Sequence, residues 1–141
     1  KPTIQYQMID RLLKKGVPPQ KILFVSMDHP MLKLSGLNDL LECYHSNVYA
    51  EQDCYYFFDE IQYASDWDKW MKTIYDMQPE TKMVATGSAS PALMKGSSES
   101  GAGRWSVIQV PTLSFYEYCA LIGARVPELG PEIRFSNRSI I

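Results

Sequence analysis

The 141-residue sequence has no apolar run near the roughly 20 residues needed to cross a bilayer, and its opening KPTIQYQMID lacks the long apolar stretch of a signal peptide. The expectation is a chain that does not enter a membrane, with a cytoplasmic location as the default. Basic residues form no block, and 14 Lys and Arg stand against 16 Asp and Glu for a net charge of -2. Binding nucleic acid mainly through its phosphates needs a clustered positive face, so nucleic acid is not indicated as a partner. Cysteines are few and scattered: Cys43, Cys54 and Cys119 include no C-x-x-C pair. A zinc site and a disulfide framework are thereby disfavoured, and each thiol reads as a small buried hydrophobe. His29 and His45 stand apart and read as structural or surface residues rather than ligands. What remains is 45% hydrophobic and 21% charged, enough apolar surface for one compact core and unlike a disordered or collagenous chain.

Periodicity divides the chain into alternating elements. Ile4, Met8, Ile9, Leu12 and Leu13 predict a helix from about Thr3 to Lys15, with that apolar set facing the core, closed by Gly16 and Pro18-Pro19. The apolar run Ile22–Val25 is too short for a helix and reads as a strand buried on both faces. Leu37, Leu40, Leu41 and Tyr44 predict a second helix behind Ser35 as N-cap. Cys54–Phe58 reads as another buried strand, ending in Asp59-Glu60. Ser65 and Asp68 form an S-x-x-D capping box before a helix carrying Trp67, Trp70, Met71 and Ile74 on one face. Lys82–Ala85 predicts a strand ending in Thr86-Gly87-Ser88, then a short helix over Pro91–Met94, a Gly/Ser loop over Ser97–Gly103 and a last strand over Ser106–Val110. Ser114 and Glu117 form a second capping box, with Phe115, Tyr118, Cys119 and Ile122 facing inward until Gly123. Residues 124–141 have no clear period and are expected to be a linker or the start of a lid or C-terminal region, following a domain over 1–123.

Short unalternating strands separated by helices predict an α/β fold with a parallel sheet covered on both faces. Ligands in such sheets bind beyond the C-terminal ends of the strands, where Asp28, Asp59, Glu60, Thr86 and Ser88 all fall.

A carboxylate closing a buried strand must meet a cation, a donor or water to avoid a large desolvation cost. The magnesium of a bound nucleotide meets that need at Asp59, and the adjacent Glu60 can then orient an attacking water. Asp59 capping a turn beside a solvated Glu60 is the structural alternative. A glycosidase pair fits less well, because it needs facing walls about 5–9 Å apart while strand neighbours point to opposite faces. A metal nuclease would want a further acid and a Lys where Ile61, Gln62 and Tyr63 stand.

The stretches QMIDRLLKKGVPPQKILFVSMDHP, YYFFDEIQYASDWDKWMKTIYD, ATGSASPAL, Gly103-Arg104 and LSFYEYC, in that order, resemble the AAA-type P-loop ATPases of bacteria and archaea that often carry an additional C-terminal domain of unknown function. The resemblance spans Lys1 to about Ile122. It implies a three-layer P-loop NTPase-like sheet of the additional-strand class, ATP and Mg²⁺ as cofactors, and hydrolysis coupled to conformational change in an attached domain or protein partner. Asp59 and Glu60 would be the Walker B acids and Thr86 or Ser88 the polar sensor. Arg104 invites a role as sensor or arginine finger, since a guanidinium stabilises charge on a transferring phosphoryl group.

The family pattern opens with a strand and G-x-x-x-x-G-K-[ST]. Here Lys1 aligns with the motif's lysine, Pro2 with the Ser/Thr that ligates Mg²⁺, and Thr3 with the next residue. Pro2 suits a first helical turn but has no hydroxyl, and Thr3 is the substitute within reach. In the family's sheet the missing strand lies between the strand ending at Ser88 and Ser106–Val110. Each buried backbone group left unpaired there would cost roughly 1–3 kcal/mol, a sum rivalling a domain's stability of about 5–15 kcal/mol. The expectation is therefore a native polypeptide that begins upstream of Lys1 and lacks its first strand here. The rival reading is a degenerate, non-hydrolysing P-loop relic that serves as a binding or scaffold module. Stacking of nucleic acid on Trp67 and Trp70 is weaker, because those rings fall on the predicted core face.

Overall fold

The structure, a computed structural model, describes residues 2–32, 36–88 and 103–125. Residues 1–107 and 108–141 form two compact units. The first unit contains α1 (Pro2–Lys14), β1 (Ile22–Ser26), α2 (Leu37–Asn47), β2 (Tyr55–Asp59), α3 (Trp67–Met77) and β3 (Lys82–Ala85). The second contains α4 (Phe115–Leu121).

The three strands form one parallel sheet in the order β1-β2-β3. Register places Leu23 beside Tyr56 and Tyr56 beside Met83, and Ser26 beside Asp59. Because successive strand side chains point to opposite faces, Leu23, Val25, Tyr56, Phe58, Met83 and Ala85 share one face, and Phe24, Phe57, Asp59 and Val84 the other. The first face packs with Leu37, Leu41 and Tyr44 of α2 and Ile74 of α3 in one buried cluster, with Trp67 and Trp70 partly buried against it. The second lies under α1, where the Tyr6 and Phe24 rings stand 5.0 Å apart and the Gln5 amide reaches the strands. The result is the three-layer α/β arrangement that a parallel sheet demands.

Local chemistry explains the element ends. After α1, Gly16 takes a positive φ of 86°, which glycine adopts without a Cβ penalty, and Val17 N–H donates to Leu12 O across the turn. Ser114 Oγ accepts from Glu117 N–H while the Glu117 carboxylate accepts from Ser114 N–H, the predicted capping box of α4. His45 has a structural role, its two ring nitrogens engaging Tyr49 O at 2.8 Å and Tyr56 Oη at 2.7 Å.

Several expectations need correction. The buried side of α1 carries Gln5, with Ile9 and Leu12 half-buried, whereas Ile4, Met8 and Leu13 are exposed. A helix over one sheet buries a narrow stripe, and the apolar set read from the sequence spans more than that stripe. The Ser65–Asp68 box does not form: α3 begins behind Asp66, in the left-handed region at φ 52°, without a side-chain cap. The N-cap position of α2 belongs to Gly36, and Ser35 lies outside the described residues. Residues 105–114 contain no strand, and Val107, Ile108 and Val110 are exposed. An apolar run becomes a strand only by laddering onto a neighbour, and no described strand pairs with Ser106–Val110. On α4 only Cys119 is buried, while Phe115, Tyr118 and Ile122 are exposed. Seven residues present barely two turns, so one position faces inward. β1 is an edge of the described sheet, which leaves most of it half-buried rather than buried on both faces. Cys54 and Cys119 are buried, but Cys43 is exposed on the outer side of α2. The predicted Pro91–Met94 helix, nearly all of the Ser97–Gly103 loop and the tail beyond residue 125 lie outside the described residues.

Candidate functional site

Aromatic residues force the site's position. Tyr56, Phe57 and Phe58 are at most 2% exposed, so β2 runs through the centre of the described sheet and carries Asp59 to the rim at its C-terminal end. Asp59 is 6% exposed, and the Thr86 hydroxyl donates to its Oδ1. Thr86 stands immediately after β3, whose pairing to β2 is extended by Thr86 N–H donating to Phe58 O at 2.8 Å. The carboxylate's desolvation is thus offset by a hydroxyl delivered from the neighbouring strand. Ser26, opposite Asp59 in register, donates to Asp28 Oδ1 at 2.7 Å, so β1 adds a second polar pair to the same edge.

The chain then turns sharply. Glu60 is a non-glycine residue at φ 50° and ψ 46°, a left-handed conformation costing about 1–2 kcal/mol. A single 3₁₀ turn, Ile61–Tyr63, follows, anchored by Ile61 N–H donating to Thr86 O at 3.0 Å and by the buried Ile61 side chain. This turn carries Gln62 back over the rim. Its Nε2 donates to Glu60 Oε2 and, at 3.2 Å, to Ser88 Oγ.

Helix α1 approaches the rim from the other side of Asp59's strand. Gln5, one turn into the helix and fully buried, donates through Nε2 to Phe58 O at 3.0 Å and to Val84 O at 3.4 Å. The first turn of α1 therefore lies against the last residues of β2 and β3, on the face to which Asp59 points. Thr3 sits in that turn and is exposed, while Lys1 lies outside the described residues.

The structure accordingly brings Asp59 to Thr86, and Glu60 to Ser88 through Gln62. It does not bring Arg104 to them. Arg104 binds Asp76 in a bidentate pair, Nε to Oδ1 at 3.0 Å and Nη2 to Oδ2 at 3.2 Å. Asp76 occupies the last turn of α3, an 11-residue helix that leads about 16 Å away from the Glu60 turn. The guanidinium holds the Asp76 carboxyl below the usual carboxylate range through that hydrogen-bonded pair. Composition and spacing did not single out Gln5 or Gln62. Gln62 had a signal in the DEIQ string, two residues beyond the acids; Gln5 had none, since a Gln within an apolar helix stripe reads as a surface residue.

The donors at the rim are carboxylate and hydroxyl oxygens, the set suited to a hard cation such as Mg²⁺ rather than to zinc. Among the described residues no three His, Cys, Asp or Glu side chains converge. A rim where no three such groups converge suits an ion that keeps several waters and takes further oxygens from its substrate.

Comparison with known proteins agrees with this architecture. A family described as an AAA domain matches residues 1–119. An uncharacterized protein of Methanocaldococcus jannaschii, MJ1637, is 31% identical over 126 residues, covering 86% of this chain and 26% of its own length. The chain thus spans about a quarter of the length of that relative. No solved structure matches this chain.

Proposed function

The chain belongs to the AAA domain family, and on that premise we propose that it is a Mg-ATP-binding domain in which hydrolysis drives conformational change in an attached domain or protein partner. The observation that carries the reading is the juxtaposition of a buried Asp59, hydrogen-bonded to Thr86, with the strained Glu60 at the C-terminal rim of the sheet. Asp59 would hold the magnesium, through water or directly, and Thr86 orients its carboxylate. Bound there, the metal would supply charge neutralisation on the phosphates. Glu60 would orient the attacking water as a carboxylate acceptor, a role supported by the left-handed backbone with which it breaks from the strand. Ser88 would present a hydroxyl to the transferring phosphate, and the first turn of α1, with Thr3, would meet the remaining phosphates with the positive end of the helix dipole, Lys1 being assigned there by its alignment with the motif's lysine. For Arg104 to serve as an arginine finger it must leave Asp76.

The test is Glu60→Gln in the full-length protein, which preserves shape and deletes the acceptor charge. Turnover of Mg-ATP is expected to fall by about 10²-fold or more, with the nucleotide still bound in calorimetry. Unchanged turnover would remove Glu60 from the reaction.

One observation favours a second reading. Pro2 opens α1 where the family's motif has a metal-ligating hydroxyl. A non-hydrolysing binding or scaffold module would tolerate that loss. It predicts weak Mg-ATP binding and no turnover in the unaltered protein, the opposite of the first reading.

A further inference from the structure

We infer that Gln62 is a positioning residue that braces Glu60 and Ser88 into one unit, fixing the carboxylate that receives the water's proton and the hydroxyl that faces the phosphate. The inference deepens the ATPase reading and rests on it. Its basis is the geometry of one planar amide. Both Nε2 protons are committed, one to Glu60 Oε2 and one to Ser88 Oγ at 3.2 Å. A hydroxyl that accepts from an amide keeps its own proton available to donate elsewhere, so Ser88 can accept from Gln62 and still donate to a phosphate oxygen. Glu60 likewise has Oε2 held, while its Oε1 meets no partner among the described residues. Two side chains from different segments, one after β2 and one after β3, are thereby set at a fixed spacing.

A second observation separates this role from ordinary turn stabilisation. Gln62 Oε1 is buried and accepts no hydrogen bond from the described residues. A buried orphan acceptor is unfavourable, so an apolar side chain of similar size would serve the fold at least as well. The amide suits the site for what its donors hold. The 3₁₀ turn itself is secured independently, by Ile61 N–H on Thr86 O and by Ala64 N–H on Ile61 O at 2.9 Å.

The experiment compares steady-state Mg-ATP hydrolysis and thermal unfolding in the full-length protein for Gln62→Leu, Glu60→Gln and the double variant. Gln62→Leu is expected to lower kcat about 10²-fold, the penalty typical of a displaced catalytic group, with KM within twofold and Tm equal to or above that of the unaltered protein. The double variant is expected to lose less than the product of the two single losses, because the Glu60 half of the brace has no effect once that carboxylate is gone. Independent losses that multiply in the double variant would overturn the proposal, as would a Gln62→Leu protein with normal kcat. A fall in Tm that accounts for the lost turnover would also overturn it and assign Gln62 to the fold. Normal turnover in Glu60→Gln would remove Glu60 from the reaction and the brace with it, whereas no Mg-ATP turnover in the unaltered protein would defeat the functional reading itself. A loss in Glu60→Gln with none in Gln62→Leu defeats the brace alone.

Discussion

A single buried amide shows how the site is joined to the core. Gln5 is fully buried, its Oε1 has no partner among the described residues, and the Phe58 carbonyl it meets already accepts from Thr86 N–H. Removing the amide therefore orphans nothing at Phe58 and deletes a buried acceptor that lacks a donor. Gln5→Leu is expected to stabilise the chain by roughly 1 kcal/mol, raising Tm by about 3 °C, as differential scanning calorimetry would measure. A drop in Tm would mean that the amide's two donated bonds outweigh its unpaired oxygen. At this scale the difference between Gln5 and Gln62 is instructive: both amides donate from Nε2 and bury an idle Oε1, but Gln5 holds backbone whereas Gln62 holds two side chains at the rim.

Elements differ in how well their ends are specified. Helix α4 has both halves of its capping box, whereas α2 begins at Gly36 with no side-chain cap. Gly36 has φ -69° and ψ 156°, a conformation open to any residue, and an added Cβ would meet Asp39 Oδ2 at 3.7 Å and Asn38 N at 4.0 Å, both ordinary contacts. Gly36→Ser is expected to stabilise by about 0.5–1 kcal/mol, by supplying the missing acceptor and by restricting the unfolded chain. Urea unfolding with an unchanged m-value would measure it; no change in midpoint would show that this helix start is already satisfied. Helix α1 illustrates the limit of periodicity. Its apolar residues wrap too far round for one sheet face, so which of them faced inward was settled by the sheet and not by the helix. The Ser106–Val110 segment makes the same point for strands, since among the described residues its apolar side chains meet no partner ladder, and Val107, Ile108 and Val110 stand exposed.

For the whole molecule, the titrating groups bound the pH range of stability on both sides. Asp53 is held below its ordinary range by its pair with Lys21, Asp76 by Arg104, and Glu117 by the Ser114 N–H and hydroxyl. Their folded values lie below the unfolded ones, so their contribution is present above about pH 4 and is lost as the pH falls through the folded values. Burial pushes Tyr44, Tyr56 and the Cys54 thiol upward. Those groups stay neutral in the folded chain while the unfolded chain ionises, so stability is intact below about pH 8.5, the ordinary thiol value, and falls as the pH rises beyond it. The expected profile of urea midpoint against pH is a plateau between these limits with a decline on each side. Tyr56→Phe is expected to shallow the alkaline decline, and Asp76→Asn the acid one. A midpoint that kept rising above pH 9 would contradict the alkaline assignment. No helix among the described residues is long and apolar enough to cross a membrane.

Much of the fold was legible in the sequence because its signals are local. The unbroken aromatic run ending in Asp59-Glu60 could only be a covered strand with acids at its tip, and the Gly16 and Pro18-Pro19 stop could only end a helix. The alternation of such segments required a parallel sheet. Tertiary structure alone decided what depends on contact between distant segments: that Thr86 and not Ser88 touches Asp59, that Gln62 spans Glu60 and Ser88, that Gln5 rather than Ile4 or Met8 faces the sheet from α1, and that Arg104 pairs with Asp76. Each of these is a choice of partner, and hydrogen bonds and burial are awarded by proximity in space, which spacing along a chain does not encode.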